Sequence, residues 1–421
     1  MNTDDFRKEL ARYVPLSEAA ASHIVLSGSG SYYTTIDGKT FLDLSSGIFT
    51  NSFGMGDKEI MGVAARTLGT VSNIHGRQWV GILEFCRRLF RMIPYGDYRA
   101  VFFGDGGAYA VDRALTELYY FFGKRKYSLA TFDGGFHGKT QACKMALDDK
   151  ESSAYFHASK IPAPYCFRCP CKKNKRSCSM ECVSYAEEKL AQSKADVFLF
   201  EPILGSAVIV PPADYWRRIQ DFCRANNILM LADEVLTAGG RTGTFTACEN
   251  YGITPDILIM TKGLANGLPL SAMLIKPGLA ENPFSSRALN YSSTFMGVPA
   301  LMAAASEVLR KIESENIIAN VKQRGSQLAK GLAEIQGRVP EVIGDVRSIG
   351  LMAAVEFVKD DDMSAPDYDM GKKVFASAEN NGLELIPSGH VIRIGPPLNI
   401  TAEDMSLGLR LLEKSIEEAV K

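Results

Sequence analysis

Residues 228–263 have the sequence ILMLADEVLTAGGRTGTFTACENYGITPDILIMTKG, and this segment indicates both a fold class and a chemistry. It contains two short apolar runs, Ile228–Ala232 and Ile257–Met260, typical of buried strands. The first run is followed by Asp233 and the second leads into Lys262. Ligands of open α/β sheets bind beyond the carboxyl ends of the strands, so we expect this acid and this lysine to meet in one crevice. A structural ion pair at the rim of the sheet is the alternative.

Other apolar runs predict further strands of the same sheet, and helical patterns separate them. The predicted strands are Ala100–Phe103, Ser128–Phe132 and Val197–Phe200. The helical patterns cover Ala110–Phe122, Val183–Gln192 and Tyr215–Asn226. Strands joined through helices need crossover connections, which predicts an α/β fold with a mainly parallel sheet covered by helices.

Beyond about residue 300 the pattern changes to that of a smaller α+β module. Two long helices and two short strands are followed by a last helix, at Leu301–Glu315, Ile317–Ile335, Leu351–Phe357, Val391–Ile394 and Ala402–Val420. We therefore expect an N-terminal segment (1–60) that packs with the small domain, a large domain (61–305) and a C-terminal small domain (306–421).

Composition excludes several classes of protein. The chain has 421 residues, and its 47 Lys+Arg and 48 Asp+Glu leave a net charge of −1, which argues against a nucleic-acid partner. Hydrophobic residues make up 46% and charged residues 23%, as in ordinary globular proteins. The acidic N-terminus has no apolar signal segment, and no apolar run approaches the about 18 residues of a membrane span. We expect a cytoplasmic protein with no membrane partner.

A glycine-rich turn, Gly104–Gly107, follows the predicted strand Ala100–Phe103 and opens a helix. Backbone N–H groups at the positive end of a helix suit a phosphate. A lysine at the end of a buried strand is partly desolvated, which lowers its pKa and makes its amine nucleophilic. Together, the turn, Asp233 and Lys262 predict a phosphorylated cofactor that forms a Schiff base, and pyridoxal 5'-phosphate (PLP) fits.

These residues resemble the signature of the class III (ω-type) aminotransferases. The matching motifs in 228–263 are Asp233-Glu234-Val235, Gly239-Gly240-Arg241-Thr242-Gly243, Pro255-Asp256-Ile257 and Thr261-Lys262-Gly263. Elsewhere they are Phe136-His137-Gly138-Lys139-Thr140, Glu201-Pro202-Ile203, Ser293-Thr294-Phe295, Gly344-Asp345-Val346-Arg347 and Arg393-Ile394-Gly395-Pro396-Pro397-Leu398. The matches keep the family order over nearly the whole chain and are nearest to 4-aminobutyrate aminotransferase and dialkylglycine decarboxylase. The resemblance implies fold type I of the PLP-dependent transferases.

The resemblance also implies roles around the cofactor ring. Lys262 is expected to form the internal aldimine with PLP and then to act as the acid/base that moves the Cα proton. Asp233 is expected to pair with the pyridinium nitrogen. Val235 is expected to pack under one face of the ring and Phe136 to stack on the other, with His137 in a positional role.

Further roles concern the phosphate and the substrate. The resemblance implies that Gly106 and Gly107 present N–H groups to the phosphate, and that Thr294 reaches it from a second subunit. We therefore expect a homodimer or a dimer of dimers. Arg393 is expected to bind a substrate carboxylate as a planar fork, and Glu201 to pair with Arg393 when that carboxylate is absent.

Three positions depart from the family pattern. Leu236 stands where most members have a glutamine that hydrogen-bonds the ring phenolate of the cofactor. Tyr109 ends a phosphate turn in which Gly106 replaces the usual serine, so a hydroxyl ligand is lost. Ile48 lies near the place where dialkylglycine decarboxylase has a glutamine that touches the scissile carboxylate. These changes indicate an unusual substrate or a reaction other than plain transamination.

Five of the nine cysteines lie close together in the sequence, at Cys166, Cys169, Cys171, Cys178 and Cys182. Their spacing is compatible with a zinc or iron–sulfur site. Related chains keep similar cysteines without an obvious metal, and cysteine is often simply buried, so our assignment of the site includes no metal.

The function expected from the sequence is that of a PLP-dependent transaminase. It would move an amino group between an amino acid or ω-amine and a 2-oxo acid through Lys262. One alternative keeps the cofactor but changes the reaction, to an amino-acid racemase/epimerase or a decarboxylating transaminase. The other is a non-catalytic protein that uses the fold to bind a partner, which Lys262 and Asp233 disfavour.

Overall fold

The computed structural model describes residues 3–14, 23–75, 77–148, 153–172, 178–280, 293–359 and 362–421. In these ranges, no helix combines the length and the apolar character that crossing a membrane requires.

A seven-stranded sheet forms the centre of the large unit. In spatial order its strands are Arg99–Phe103, Ser271–Ile275, Ile257–Met260, Leu229–Asp233, Val197–Phe200, Tyr127–Phe132 and Phe156–Ile161. The five predicted strands are confirmed, and the sheet is mainly parallel as expected. Ser271–Ile275 is antiparallel to both of its neighbours, and neither it nor Phe156–Ile161 was predicted.

The inner strands of this sheet are buried on both faces, which explains why Val197–Phe200 and Ile257–Met260 are apolar throughout. Successive residues of the strand Leu229–Asp233 alternate between two apolar clusters, with Met230 and Ala232 in one cluster and Leu231 in the other. The helices that precede or follow these strands are Lys58–Thr70, Ile82–Met92, Gly107–Phe121, Gln141–Ala146, Glu181–Gln192 and Tyr215–Ala225.

The C-terminal part is the α+β module that the sequence predicted. Its helices are Pro299–Ser314, Ile317–Arg338, Tyr368–Asn380 and Ala402–Val420. Its strands are Ile343–Ile349, Met352–Lys359, Asp362–Pro366, Ile386–Ser388 and Val391–Ile394. The strand Met352–Lys359 is central, since it pairs antiparallel with Ile343–Ile349, with Asp362–Pro366 and with Val391–Ile394.

The N-terminal part begins with the helix Thr3–Leu10 and continues as three antiparallel strands, Val25–Ser29, Tyr32–Thr35 and Thr40–Asp43. The fourth strand of this sheet, Leu383–Glu384, comes from the C-terminal part and pairs parallel with Thr40–Asp43. The N-terminal strands are therefore joined to a strand near the other end of the chain.

A left-handed turn follows these strands. Ser46–Phe49 have φ angles of 49°, 56°, 58° and 64°, a region that β-branched and bulky side chains rarely adopt. The backbone N–H groups of Ser45 and Ser46 donate to Oδ1 of the buried Asp43 at 2.8 and 2.9 Å. The hydroxyl of Ser46 donates to the carbonyl of Gly395 at 2.6 Å. These hydrogen bonds offset the backbone strain of the turn.

Candidate active site

Lys262 lies directly beyond the strand Ile257–Met260 and is half-buried. Burial lowers the pKa of its amine to about 8. The negative charges of Asp233 and Glu201 oppose this shift, and the positive charge of Arg393 adds to it. The structure therefore brings the predicted lysine into electrostatic range of three other predicted site residues.

The loop that carries Lys262 is held by the N-terminal segment, a connection that we did not predict. The hydroxyl of Ser52 donates to the carbonyl of Gly263 at 2.9 Å. The side chain of Asn266 accepts from the N–H of Phe53 at 2.8 Å and donates to the carbonyl of Gly54 at 3.2 Å. A Cβ atom at position 263 would lie 2.5 Å from the Ser52 hydroxyl, so this close approach requires glycine.

Asp233 is buried at the end of its strand and is held in place by two contacts. Its Oδ2 lies 2.8 Å from Nδ1 of His137, which is also buried. Its Oδ1 accepts from the N–H of Val235 at 3.0 Å. The contact with Asp233 agrees with the positional role expected for His137.

The glycine turn opens the helix Gly107–Phe121, whose first turn has no side-chain cap. A Cβ atom on Gly106 would meet nothing within 4 Å. A Cβ atom on Gly107 would lie 2.6 Å from Cγ2 of Val235 and 2.9 Å from Cγ2 of Thr261. Gly107 therefore lets the start of the helix approach the ends of the two strands that carry Asp233 and Lys262.

Glu201 and Arg393 meet through the peptide groups of Gly205. Oε2 of the buried Glu201 accepts from the N–H of Gly205 at 2.9 Å, and Arg393 donates to the carbonyl of Gly205 at 3.0 Å. The other oxygen of Glu201 accepts from the N–H of Phe136 at 2.9 Å. No ion pair within 4.0 Å joins Glu201 to Arg393, both of which are among the described residues. In this state Gly205 lies between them.

Burial shifts the pKa of both Glu201 and Arg393. Burial raises the pKa of Glu201 to about 7, and the charge of Asp233 adds to this, while His137 and the two N–H donors oppose it. Burial also lowers the pKa of Arg393. The Nε of Arg393 is buried without a hydrogen-bond partner, so this guanidinium retains a donor for a ligand.

The structure shows the contacts or the exposure of the three residues that depart from the family pattern. Leu236 packs against Gly205, because a Cβ atom on that glycine would lie 2.0 Å from Cδ1 of Leu236. Tyr109 meets the ring of Phe103 edge-on at 5.3 Å. Ile48 is 51% exposed and belongs to the left-handed turn.

Two predicted site residues lie at the surface of the chain. The ring of Phe136 is 47% exposed, although its backbone N–H is bound by Glu201. Thr294 is exposed, and its carbonyl accepts from the side chain of Asn73 at 2.9 Å. The next residue, Phe295, accepts from the N–H of Gly104 at 2.8 Å, which places this segment beside the glycine turn.

The five clustered cysteines are all within the described residues. Cys166 and Cys178 are exposed, and Cys169, Cys171 and Cys182 are half-buried. Burial raises the pKa of Cys182 to about 12, with the other four thiols adding to the shift. Within the described ranges, no group of three His, Cys, Asp or Glu ligand atoms closer than 4.8 Å includes one of these thiols.

Three features of these residues fit PLP. An uncapped helix start with open space at Gly106 suits the phosphate. A buried acid held by His137 suits a protonated ring nitrogen. A lysine with a lowered pKa suits covalent attachment of an aldehyde. A mainly parallel α/β sheet with these groups at its edge defines a PLP-dependent enzyme of fold type I.

The chain belongs to the class III aminotransferase family. The family model "Aminotransferase class-III" matches residues 14–416. An adenosylmethionine-8-amino-7-oxononanoate aminotransferase of Geobacter sulfurreducens is 32% identical over 420 residues, covering 93% of this chain and 91% of that protein. The protein is therefore a PLP-dependent transaminase by family.

Two further similarities concern the reaction and the fold. A leucine/methionine racemase of Thermococcus litoralis is 39% identical over 265 residues, which cover 61% of this chain and 59% of the racemase. The crystal structure of an omega transaminase from Pseudomonas jessenii, in complex with PMP, has a TM-score of 0.90 at 24% identity and covers 98% of both chains. This second similarity confirms the predicted fold.

Proposed function

We propose that this transaminase uses Lys262 as its catalytic amine, Asp233 as the partner of the cofactor ring nitrogen, and Arg393 as the binding group for a substrate carboxylate. The amino donor is an amino acid or ω-amine, and the acceptor is a 2-oxo acid. One observation carries the proposal: the fold places half-buried Lys262, just beyond its strand, within electrostatic range of Asp233, Glu201 and Arg393.

PLP, when bound, supplies a ring that accepts the electron pair left at the substrate Cα. Asp233 would face the ring nitrogen of the bound cofactor, and His137 fixes the orientation of its carboxylate. With the cofactor bound, the neutral amine of Lys262 would take the Cα proton of the substrate, and its conjugate acid would deliver that proton to C4′.

Arg393 decides which bond of the substrate is exposed to Lys262. Its fork would hold a substrate carboxylate in a fixed direction, so that the Cα–H bond rather than the bond to the carboxylate would face Lys262. The carbonyl of Gly205 orients the guanidinium by accepting a hydrogen bond from one of its N–H groups. The side chain of Ile48 cannot donate a hydrogen bond to a substrate carboxylate, which would disfavour decarboxylation.

The rest of the cofactor site completes the proposal. Gly106 and Gly107 bind the phosphate, and Val235 and Phe136 pack on the two ring faces. Thr294 contributes to the phosphate site of a second subunit, and its exposed side chain supports this. The active protein is then a homodimer or a dimer of dimers in the cytoplasm.

The proposed domain boundaries are 1–60, 61–305 and 306–421. The pairing of Leu42 with Leu383 supports grouping the N-terminal segment with the small domain.

The test is a single half-reaction. Holoenzyme is incubated with individual L-amino acids and ω-amines but no 2-oxo acid, and the bound cofactor and products are identified. We expect conversion of the cofactor to pyridoxamine phosphate with one equivalent of oxo product per site. Release of CO₂ in catalytic amounts, without accumulation of the pyridoxamine form, would contradict the proposal.

Amino-acid racemisation is the second candidate, because of the 39% identity to a racemase. Racemisation needs an acid on the ring face opposite Lys262. The buried His137, next to Phe136, is bonded to Asp233, which supports a positional role over that of a second acid. Catalytic formation of the D-amino acid in the same experiment would favour the racemase.

A further inference from the structure

Three side chains outside the lysine site converge where the N-terminal strands meet the C-terminal part. They are His23, Glu379 at the end of the helix Tyr368–Asn380, and Glu384 in the strand Leu383–Glu384. Each offers one nitrogen or oxygen atom, and these three atoms all lie within 4.8 Å of one another. The three residues are brought together only by the fold, since His23 is far from the other two in sequence.

The contact between His23 and Glu379 lacks the geometry of a hydrogen bond. Nε2 of His23 lies 3.1 Å from Oε1 of Glu379, yet both atoms are buried without any hydrogen-bond partner. Buried polar atoms that make no hydrogen bond cost free energy, so this pair calls for an explanation. Two ligand atoms bound to one ion at about 2.0–2.2 Å lie roughly 3 Å apart. The separation of these two atoms matches that value.

The surroundings of Glu384 also favour a cation. Its carboxylate lies within electrostatic range of the carboxylates of Asp43 and Glu379, so a bound cation would offset their mutual repulsion. The hydroxyl of Tyr33 donates to Oε2 of Glu384 at 2.7 Å, an outer contact of the kind that orients metal-binding carboxylates. The ring of His23 packs against that of Phe41 at a centroid distance of 4.2 Å, which fixes its orientation.

We propose that His23, Glu379 and Glu384 bind one divalent transition-metal ion of the zinc type, through one imidazole nitrogen and two carboxylate oxygens, with water completing its coordination. Imidazole ligands suit zinc, cobalt and nickel, whereas magnesium and calcium prefer all-oxygen sites. The ion is structural. It connects the segment before the first strand to the helix and the strand of the C-terminal part.

Cobalt(II) is the best probe, because the cysteine cluster could also bind a soft metal. Holoenzyme is treated with a chelator, desalted and titrated with Co²⁺ while its visible spectrum and its thermal unfolding are followed. We expect one equivalent per chain with the weak absorption of nitrogen and oxygen ligands, a rise in melting temperature, displacement by Zn²⁺ and no competition by Mg²⁺. No binding, or binding only with strong thiolate-to-cobalt absorption, would overturn the proposal.

Substitutions of the proposed ligands test whether the metal binds at these three residues. Glu379→Gln and His23→Gln should each weaken Co²⁺ binding at least a hundredfold, and Tyr33→Phe about tenfold to a hundredfold. The matched controls Glu417→Gln and His157→Gln change exposed side chains and should bind like the wild type. Retained transaminase activity shows that each variant is folded. If Glu379→Gln is folded and binds Co²⁺ like its control, the three residues form only an ion pair.

Discussion

At the scale of single residues, the lowered pKa of Lys262 has a measurable consequence. The amine attacks only when neutral, and with a pKa of about 8 roughly half of it is neutral at pH 8. The rate at which apoenzyme rebinds PLP covalently should therefore rise with pH to a half-maximum near pH 8, as followed by absorbance and borohydride trapping.

The charge of Glu201 raises the pKa of Lys262, so Glu201→Gln should move this midpoint to lower pH. The exposed variant Glu417→Gln should leave it in place. A rate that keeps rising up to pH 10 would show that Lys262 has an ordinary pKa. Covalent trapping in Lys262→Ala would show that the wrong lysine has been assigned.

Arg393 should discriminate between substrates. A charged hydrogen bond contributes about 1.5–3 kcal/mol, and about 1.4 kcal/mol corresponds to a factor of ten. Arg393→Ala should therefore raise KM for carboxylate substrates about tenfold to a hundredfold, and change it much less for simple amines. Steady-state kinetics with both substrate classes checks this, with the exposed Arg338→Ala as the control. Equal effects on the two classes would make Arg393 structural.

At the scale of elements, the contact between the glycine turn and the strand ends predicts the effect of a methyl group. Gly107→Ala places its Cβ 2.6 Å from Val235, which moves the start of the helix away from the strands. Overpacking of this kind costs about 1–3 kcal/mol. The Kd of the apoenzyme for PLP should rise about tenfold or more, as measured by titration.

Gly337→Ala is the matched control, because a Cβ atom at position 337 in the helix Ile317–Arg338 meets nothing within 4 Å. Its affinity for PLP should equal that of the wild type. If Gly107→Ala also binds PLP normally, the N-terminus of this helix does not bind the phosphate.

The strands that the sequence predicted correctly are those whose pattern is local. Leu229–Asp233 and Ile257–Met260 are buried on both faces, so an unbroken apolar run identifies them. Ser271–Ile275 was missed, because it follows the lysine loop closely and only the one-turn 3-10 helix Lys262–Ala265 separates it from Ile257–Met260. A short connection favours the antiparallel pairing that it makes.

The site could be predicted only where a motif is local or shared with the family. Asp233 and Lys262 end two strands of one sheet, so their positions follow from the strand pattern. Ser52 supports the lysine loop across 211 residues of sequence, and no local pattern indicates this contact. Likewise, no local pattern indicates that the carbonyl of Gly205 accepts a hydrogen bond from Arg393, which is 188 residues away.

At the scale of the whole molecule, a phosphate site shared between subunits predicts that two variants, each impaired alone, recover activity when they form a mixed dimer. Lys262→Ala lacks the amine, and Thr294→Ala weakens the phosphate site of its partner. If Thr294 acts across the interface, a mixed dimer contains one site with both native residues and recovers up to half the activity per dimer.

The measurement mixes the two chains by denaturation and refolding, with sedimentation to record the assembly. Each variant alone is the control. Activity no greater than the sum of the separate variants would show that Thr294 acts within its own chain. A fully active monomer would exclude a shared site altogether.

The four-stranded N-terminal sheet has a consequence for biosynthesis. Tyr33 bonds Glu384 across 351 residues, and Ser46 bonds Gly395 across 349. A ribosome that makes about 5–20 residues per second therefore releases the first strands many seconds before their partners exist. The N-terminal strands are therefore synthesised well before their C-terminal partners, and their unpaired strand edge must be protected from aggregation during that interval.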